Sequence, residues 1–122
     1  MAKIVFIEDE PALQKSLGDF LRSRGHEVYS ALNGEEGLGM IREYHPDLVL
    51  LDIVLPRMDG LEVLRTMRSD PAIRNTAVVM LSNSESSDAV QESVTLGAKA
   101  YLIKTSYTLD EVSEKLKSIL GS

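Results

Sequence analysis

Apolar residues follow two alternating spacings along this chain. Unbroken runs such as Ile4-Val5-Phe6-Ile7 and Leu48-Val49-Leu50-Leu51 read as strands buried on both faces, while between the runs apolar positions recur every three or four residues, as on one side of a helix. The pattern predicts strands over 3–8, 27–31, 48–52, 77–82 and 99–103, and helices over roughly 11–24, 35–45, 60–69, 86–97 and 109–120. Strict alternation of strand and helix argues for an α/β fold with a parallel sheet and helices on both faces, a (βα)5 three-layer sandwich.

The helix ends carry their own signals. Pro11 suits the first helical position after a run of acids, Leu13, Leu17, Phe20 and Leu21 recur at core-facing spacing, and Gly25 stops the helix. Thr108 with Glu111 three residues later is a capping-box pattern before Val112, Leu116, Ile119 and Leu120. Leu38, Ile41 and Tyr44 point inward on the second helix before His45-Pro46 closes it, as do Leu61, Leu64 and Met67 on the third before Asp70-Pro71.

With 122 residues, 43% of them hydrophobic, the chain suits one compact domain spanning 1–122 with no output domain. Its formal net charge of −6 argues against nonspecific binding to nucleic acid or anionic membrane, since both draw on clustered Lys and Arg. The lack of Cys removes thiolate catalysis, disulfides and zinc-thiolate sites. Met1-Ala2-Lys3 runs into a strand without a signal-peptide core, and no apolar stretch spans a bilayer, so a soluble cytoplasmic protein is expected.

The chemistry gathers at strand ends. Asp52 ends the third apolar run and the first releases Glu8-Asp9-Glu10. In open α/β sheets ligands sit at the carboxyl ends of the strands, and in a flavodoxin-like order 2-1-3-4-5 the first and third strands are neighbours, so Glu8, Asp9 and Asp52 would converge. Clustered carboxylates repel one another, which raises their pKa values or demands a cation; an all-oxygen donor set with room for water and phosphate suits Mg²⁺ better than zinc or copper. The fourth strand ends at Ser82-Asn83 and the fifth at Lys104, on the same edge. A lysine there is either a structural ion pair or the mobile charge that transferring phosphoryl oxygens need. For Glu10 and Asp59 the plainer role at a helix start is preferred, and His26 and His45 fall at the opposite edge.

Taken in order, Ile7-Glu8-Asp9-Glu10-Pro11, Asp52-Ile53-Val54-Leu55-Pro56-Arg57-Met58-Asp59-Gly60, Ser82, Gly97-Ala98 and Tyr101-Leu102-Ile103-Lys104 resemble the receiver domain of two-component response regulators over essentially the whole chain. The resemblance implies Asp52 as phosphoacceptor, with Glu8, Asp9, Asp52 and the Val54 carbonyl as ligands of Mg²⁺ or Mn²⁺. It also implies Ser82 as switch hydroxyl, the Asn83 backbone N–H and Lys104 as phosphate contacts, and Tyr101 as a rotating aromatic that reports on the surface of the fourth helix, fifth strand and fifth helix. The implied protein is not a turnover enzyme: it assists its own phosphorylation and dephosphorylation. Its donor is a histidine kinase or phosphotransfer protein, its downstream target is a protein, and it is a monomer or weak homodimer.

Three positions depart from the family pattern. Glu8 stands where Asp is commoner, Asn83 where Ala or Gly is common, and Thr105 where Pro is usual, so a trans bond before Thr105 is expected. These departures leave a second reading, a receiver-like protein-binding module that works without phosphate. A haloacid-dehalogenase-like phosphohydrolase needs a second acid two residues after the nucleophile, where this chain has Val54. A flavodoxin needs a Ser/Thr-rich phosphate loop after its first strand, where this chain has acid.

Overall fold

The computed structural model describes residues 2–83 and 86–121, so the outermost residues of the expected domain, Met1 and Ser122, lie outside the described residues. Five strands, β1 (Lys3–Ile7), β2 (Glu27–Ala31), β3 (Leu48–Leu51), β4 (Ala77–Ser82) and β5 (Ala100–Ile103), alternate with five α-helices, α1 (Pro11–Ser23), α2 (Gly34–Tyr44), α3 (Gly60–Ser69), α4 (Ser87–Thr95) and α5 (Leu109–Leu120). All pairings are parallel, in the order β2-β1-β3-β4-β5, with Ile7 opposite both Ala31 and Leu51 and Met80 opposite Tyr101. This is the expected flavodoxin-like sheet.

Alternation along the central strands divides the interior in two. Ile4, Phe6, Leu48, Leu50, Val79 and Leu81 face Leu17 and Leu21 of α1 and Val112 and Leu116 of α5. Val5, Ile7, Val49, Leu51, Val78 and Met80 face Leu38 and Ile41 of α2 and Val63, Leu64 and Met67 of α3. Each strand side chain thus finds a helix, which is why the runs lack polar positions. On α3 Leu64 and Met67 are buried as expected, but Val63 joins them while Leu61 is only half-buried, so one of the three expected inward positions is reassigned. Burying a Leu, Ile or Val is worth about 1.5–3 kcal/mol each, so these two layers dominate stability.

α4 is held differently. Its only buried residues are the small Ala89 and Ser93, and the serine hydroxyl is spent on the Ala89 carbonyl at 2.8 Å. Much of its anchoring comes from α3: Arg65 pairs with Glu92, and Arg68 Nε donates to Leu96 O at 2.7 Å.

Helix ends follow the sequence signals. Pro11 opens α1, the Asn33, Asp59 and Thr108 side chains accept from backbone N–H groups of α2, α3 and α5, and the Thr108–Glu111 capping box is complete. Glu10 is the N-cap residue of α1, but its side chain makes no cap bond. Strands β1 and β3 stop one residue earlier than predicted, so Glu8 and Asp52 follow them directly, each still donating its backbone N–H to the last residue of the neighbouring strand, Ala31 O and Ile7 O at 3.0 Å. A 3-10 turn over Lys104–Ser106, absent from the sequence prediction, follows β5. No helix among the described residues is long and apolar enough to cross a membrane.

Candidate functional site

Parallel strands all present their carboxyl ends to one edge, and there the loops after β1, β3, β4 and β5 enclose a cleft of about 390 Å³. It is lined by Glu8, Asp9, Glu10, Asp52, Val54, Ser82, Asn83 and Lys104. Every predicted site residue except Tyr101 therefore lines one cavity. Tyr101, half-buried on β5, packs against the α2–α3 side of the core.

One carboxylate oxygen from each of Glu8, Asp9 and Asp52 lies within 4.8 Å of the other two. Their surroundings differ. Glu8 is 0% and Asp52 5% exposed, whereas Asp9 faces solvent. Lys104 enters between the buried pair, with Nζ 2.6 Å from Glu8 Oε1 and 3.0 Å from Asp52 Oδ2. The short Glu8 contact is an ion pair, and Lys104 also donates a hydrogen bond to Asp52 Oδ2, so one ammonium bridges both buried carboxylates. Glu8 Oε2 accepts from the Glu10 backbone N–H at 3.0 Å.

Burial pushes the Glu8 carboxyl above its ordinary range; Lys104 pulls it back and the Asp52 charge pushes it up again. For Lys104, burial pulls downward, yet the Glu8 and Asp52 carboxylates together hold the ammonium above the ordinary lysine range. One cation thus faces three carboxylates. The excess negative charge and the all-oxygen donors fit a hard divalent ion, with Glu8, Asp9 and Asp52 as its protein ligands.

The loop after Asp52 is fixed by close backbone approaches. A Cβ on Gly60 would stand 2.0 Å from the Asp52 carbonyl oxygen, and one on Gly34 would stand 1.8 Å from that of Met58. Glycine at both positions lets α3 and the start of α2 close on the loop. Arg57 takes a left-handed conformation (φ 70), so the loop turns sharply and leaves Val54 72% exposed at the cleft. Asp59 accepts from Glu62 N at 3.0 Å and is a helix cap, as read from the sequence.

Ser82 is 1% exposed at the end of β4, and Asn83 is exposed beside it. No described peptide bond is cis, so the bond before Thr105 is trans, as expected. His26 accepts from the Ala2 backbone N–H and His45 caps α2, both away from the cleft. The sequence reading missed Gln14, which is buried on α1 with its amide turned to the end of β1. A polar residue three positions before Leu17 and seven before Leu21, on the apolar face, was the available signal.

The family model for the response regulator receiver domain matches residues 4–117. The sporulation initiation phosphotransferase F of Bacillus subtilis is 31% identical over 118 residues, covering 97% of this chain and 93% of that protein. Several other curated relatives are longer, and this chain spans half of their length or less. Among solved structures, a CheY-like receiver domain protein from Methanospirillum hungatei superposes with a TM-score of 0.91 at 29% identity, covering 98% of this chain and 94% of that one. The Mn²⁺-bound form of response regulator Rcp1 superposes at 0.85 with 28% identity, covering 100% and 96%.

Proposed function

Because this chain belongs to the response regulator receiver domain family, we propose that it accepts a phosphoryl group on Asp52 from a phosphohistidine donor and relays that state to a protein target. The observation that carries this reading is the meeting of Glu8, Asp9 and Asp52 oxygens within 4.8 Å, with Lys104 already on Asp52 Oδ2. An Asp52 carboxylate oxygen attacks phosphorus as the P–N bond to the donor imidazole breaks; with the second ring nitrogen of the phosphohistidine already protonated, the electron pair of that bond stays on the ring and it leaves as neutral imidazole. The product is an acyl phosphate. Lys104 and the Asn83 backbone N–H bear on the phosphoryl oxygens, so catalysis is positioning and charge stabilisation. Mg²⁺ or Mn²⁺, held by Glu8, Asp9, Asp52 and the Val54 carbonyl, would neutralise the repulsion between carboxylate and phosphoryl group; the Mn²⁺-bound relative supports that ligand class.

Phosphorylation adds about −1.5 to −2 charge beside Lys104 and Ser82. Ser82 bonds one new oxygen, and Tyr101 turns inward and changes the α4-β5-α5 surface. The light anchoring of α4 through Ala89 and Ser93 supports that choice of moving element. On this reading the protein is a phosphoacceptor and not a turnover enzyme, and it works in the cytoplasm. Asn83, exposed at the cleft, would slow attacking water and lengthen the phosphoryl lifetime. Acetyl phosphate or phosphoramidate with Mg²⁺ should add one acid-labile phosphoryl group by intact-mass analysis. Equal labelling of Asp52→Asn would sink the assignment.

A further inference from the structure

We propose that Gln14 is a positioning residue for the acidic pair: its side-chain amide holds the backbone of Glu8 so that the Glu8 and Asp9 carboxylates meet a divalent cation. The inference rests on the reading of the cleft as a metal-dependent phosphoacceptor site. Gln14 is 7% exposed, and its Nε2 lies 2.9 Å from Phe6 O, 2.9 Å from Ala31 O and 3.2 Å from Glu8 O. Two N–H groups therefore serve three carbonyls at one point. The location explains why a donor is needed. Glu8 N donates to Ala31 O at 3.0 Å, and there β2 ends, so the next outward group of the first strand, Glu8 O, has no strand partner.

Gln14 replaces the missing rung. It also closes the turn between β1 and α1, because its own backbone N–H donates to Glu10 O at 3.0 Å. The segment from Glu8 to Gln14 is thus tied at both ends, with both acids of the pair inside the tie.

A purely space-filling role is a poor account of this amide. Its Oε1 is buried with no hydrogen-bond partner, a cost that leucine or methionine would avoid. What those residues lack is a donor to the carbonyl of the very residue whose carboxylate is 0% exposed in the cleft. Groups that orient metal ligands from behind typically change metal affinity 10–100-fold when removed.

The test is the affinity of the full chain for Mg²⁺ alone, taken from the Mg²⁺ dependence of the urea midpoint, in wild type and Gln14→Met. Methionine keeps the volume and removes both donors. The expected result is a rise of about tenfold or more in the Mg²⁺ dissociation constant. A merely structural residue lowers stability equally with and without Mg²⁺; an unchanged dissociation constant overturns the proposal. Should Gln14→Met not fold, the wild type provides a second measurement. The Gln14 side-chain amide protons should exchange slowly and shift on Mg²⁺ saturation, and fast exchange with no shift overturns the role. A wild type indifferent to Mg²⁺ defeats the reading of the cleft itself, whereas a responsive wild type matched by Gln14→Met defeats only the inference about Gln14.

Discussion

Replacing Lys104 by methionine keeps the apolar stem but removes the cation that Glu8 and Asp52 share. The ammonium stands 2.6 and 3.0 Å from their oxygens. At an effective dielectric of about 20, each contact is worth roughly 5.5–6.5 kcal/mol of gross attraction. Most of that offsets the cost of drying the three charges. The net loss is therefore set by what stays behind, two carboxylates at 0% and 5% exposure without their counter-charge. Removing one partner of a buried pair costs about 3–5 kcal/mol, which for a domain of this size lowers the melting temperature by about 10–20 °C.

The assay is metal-free urea unfolding of both proteins at pH 8 and pH 5. Lys104 is held above its ordinary range, so its contribution is fully present at both values and fades only in strong alkali. Glu8 is already pushed up by burial, and Lys104 is the largest influence pulling it down. In the variant Glu8 therefore takes up a proton more readily, and the loss should be smaller at pH 5 than at pH 8. A loss under about 1 kcal/mol, or an equal loss at the two pH values, would refute the view that Lys104 is the counter-charge of two dried carboxylates.

Three further outcomes are expected. Because the folded-state pKa of Glu8 is raised, its stabilising influence is complete below the ordinary Glu value of 4.5 and is lost as pH rises through the raised value. Metal-free Glu8→Gln should therefore match wild type in acid and exceed it at pH 8, and a weaker variant at pH 8 by urea midpoint would contradict this. Gly34→Ala drives a Cβ to 1.8 Å from Met58 O and should cost at least about 2 kcal/mol. Gly39→Ala in the same helix meets nothing within 4 Å and should gain about 0.5–1 kcal/mol; thermal melts ranking the two the other way would refute the packing account. Arg68 donates to Leu96 O (2.7 Å), Arg74 O (2.9 Å), Thr76 O (2.9 Å) and Gly97 O (3.4 Å). Arg68→Ala should cost about 2 kcal/mol and speed amide exchange at the end of α4; unchanged exchange there would mean the guanidinium is dispensable.

The strands and the shared edge were legible because a central parallel strand admits no polar residue, so Glu8 and Asp52 mark where the ladder stops. The cleft composition followed from topology: once β1 and β3 are neighbours, residues 44 positions apart must meet. Gln14 was not legible, since helical periodicity reports which side is buried and not which carbonyl lacks a donor. Gly34 escaped for a similar reason, as its requirement comes from Met58, distant in sequence. The 3-10 turn over Lys104–Ser106 escaped because Lys104-Thr105-Ser106 carries neither a Gly nor a Pro to mark a turn.

Removing α3 from the sheet would strip cover from Val63, Leu64 and Met67, whereas removing α4 uncovers little more than one methyl group and one hydroxyl of its own. The folded ensemble is therefore graded by element. States a few kcal/mol above the native one are populated at roughly 0.1–10% at equilibrium, and with only Ala89 and Ser93 buried α4 is the helix expected to open first in amide exchange. A ligand or partner that favoured such an opened arrangement would need only to enrich a minor population. Its selectivity between the two arrangements, and not its total affinity, then sets how sharply the domain responds.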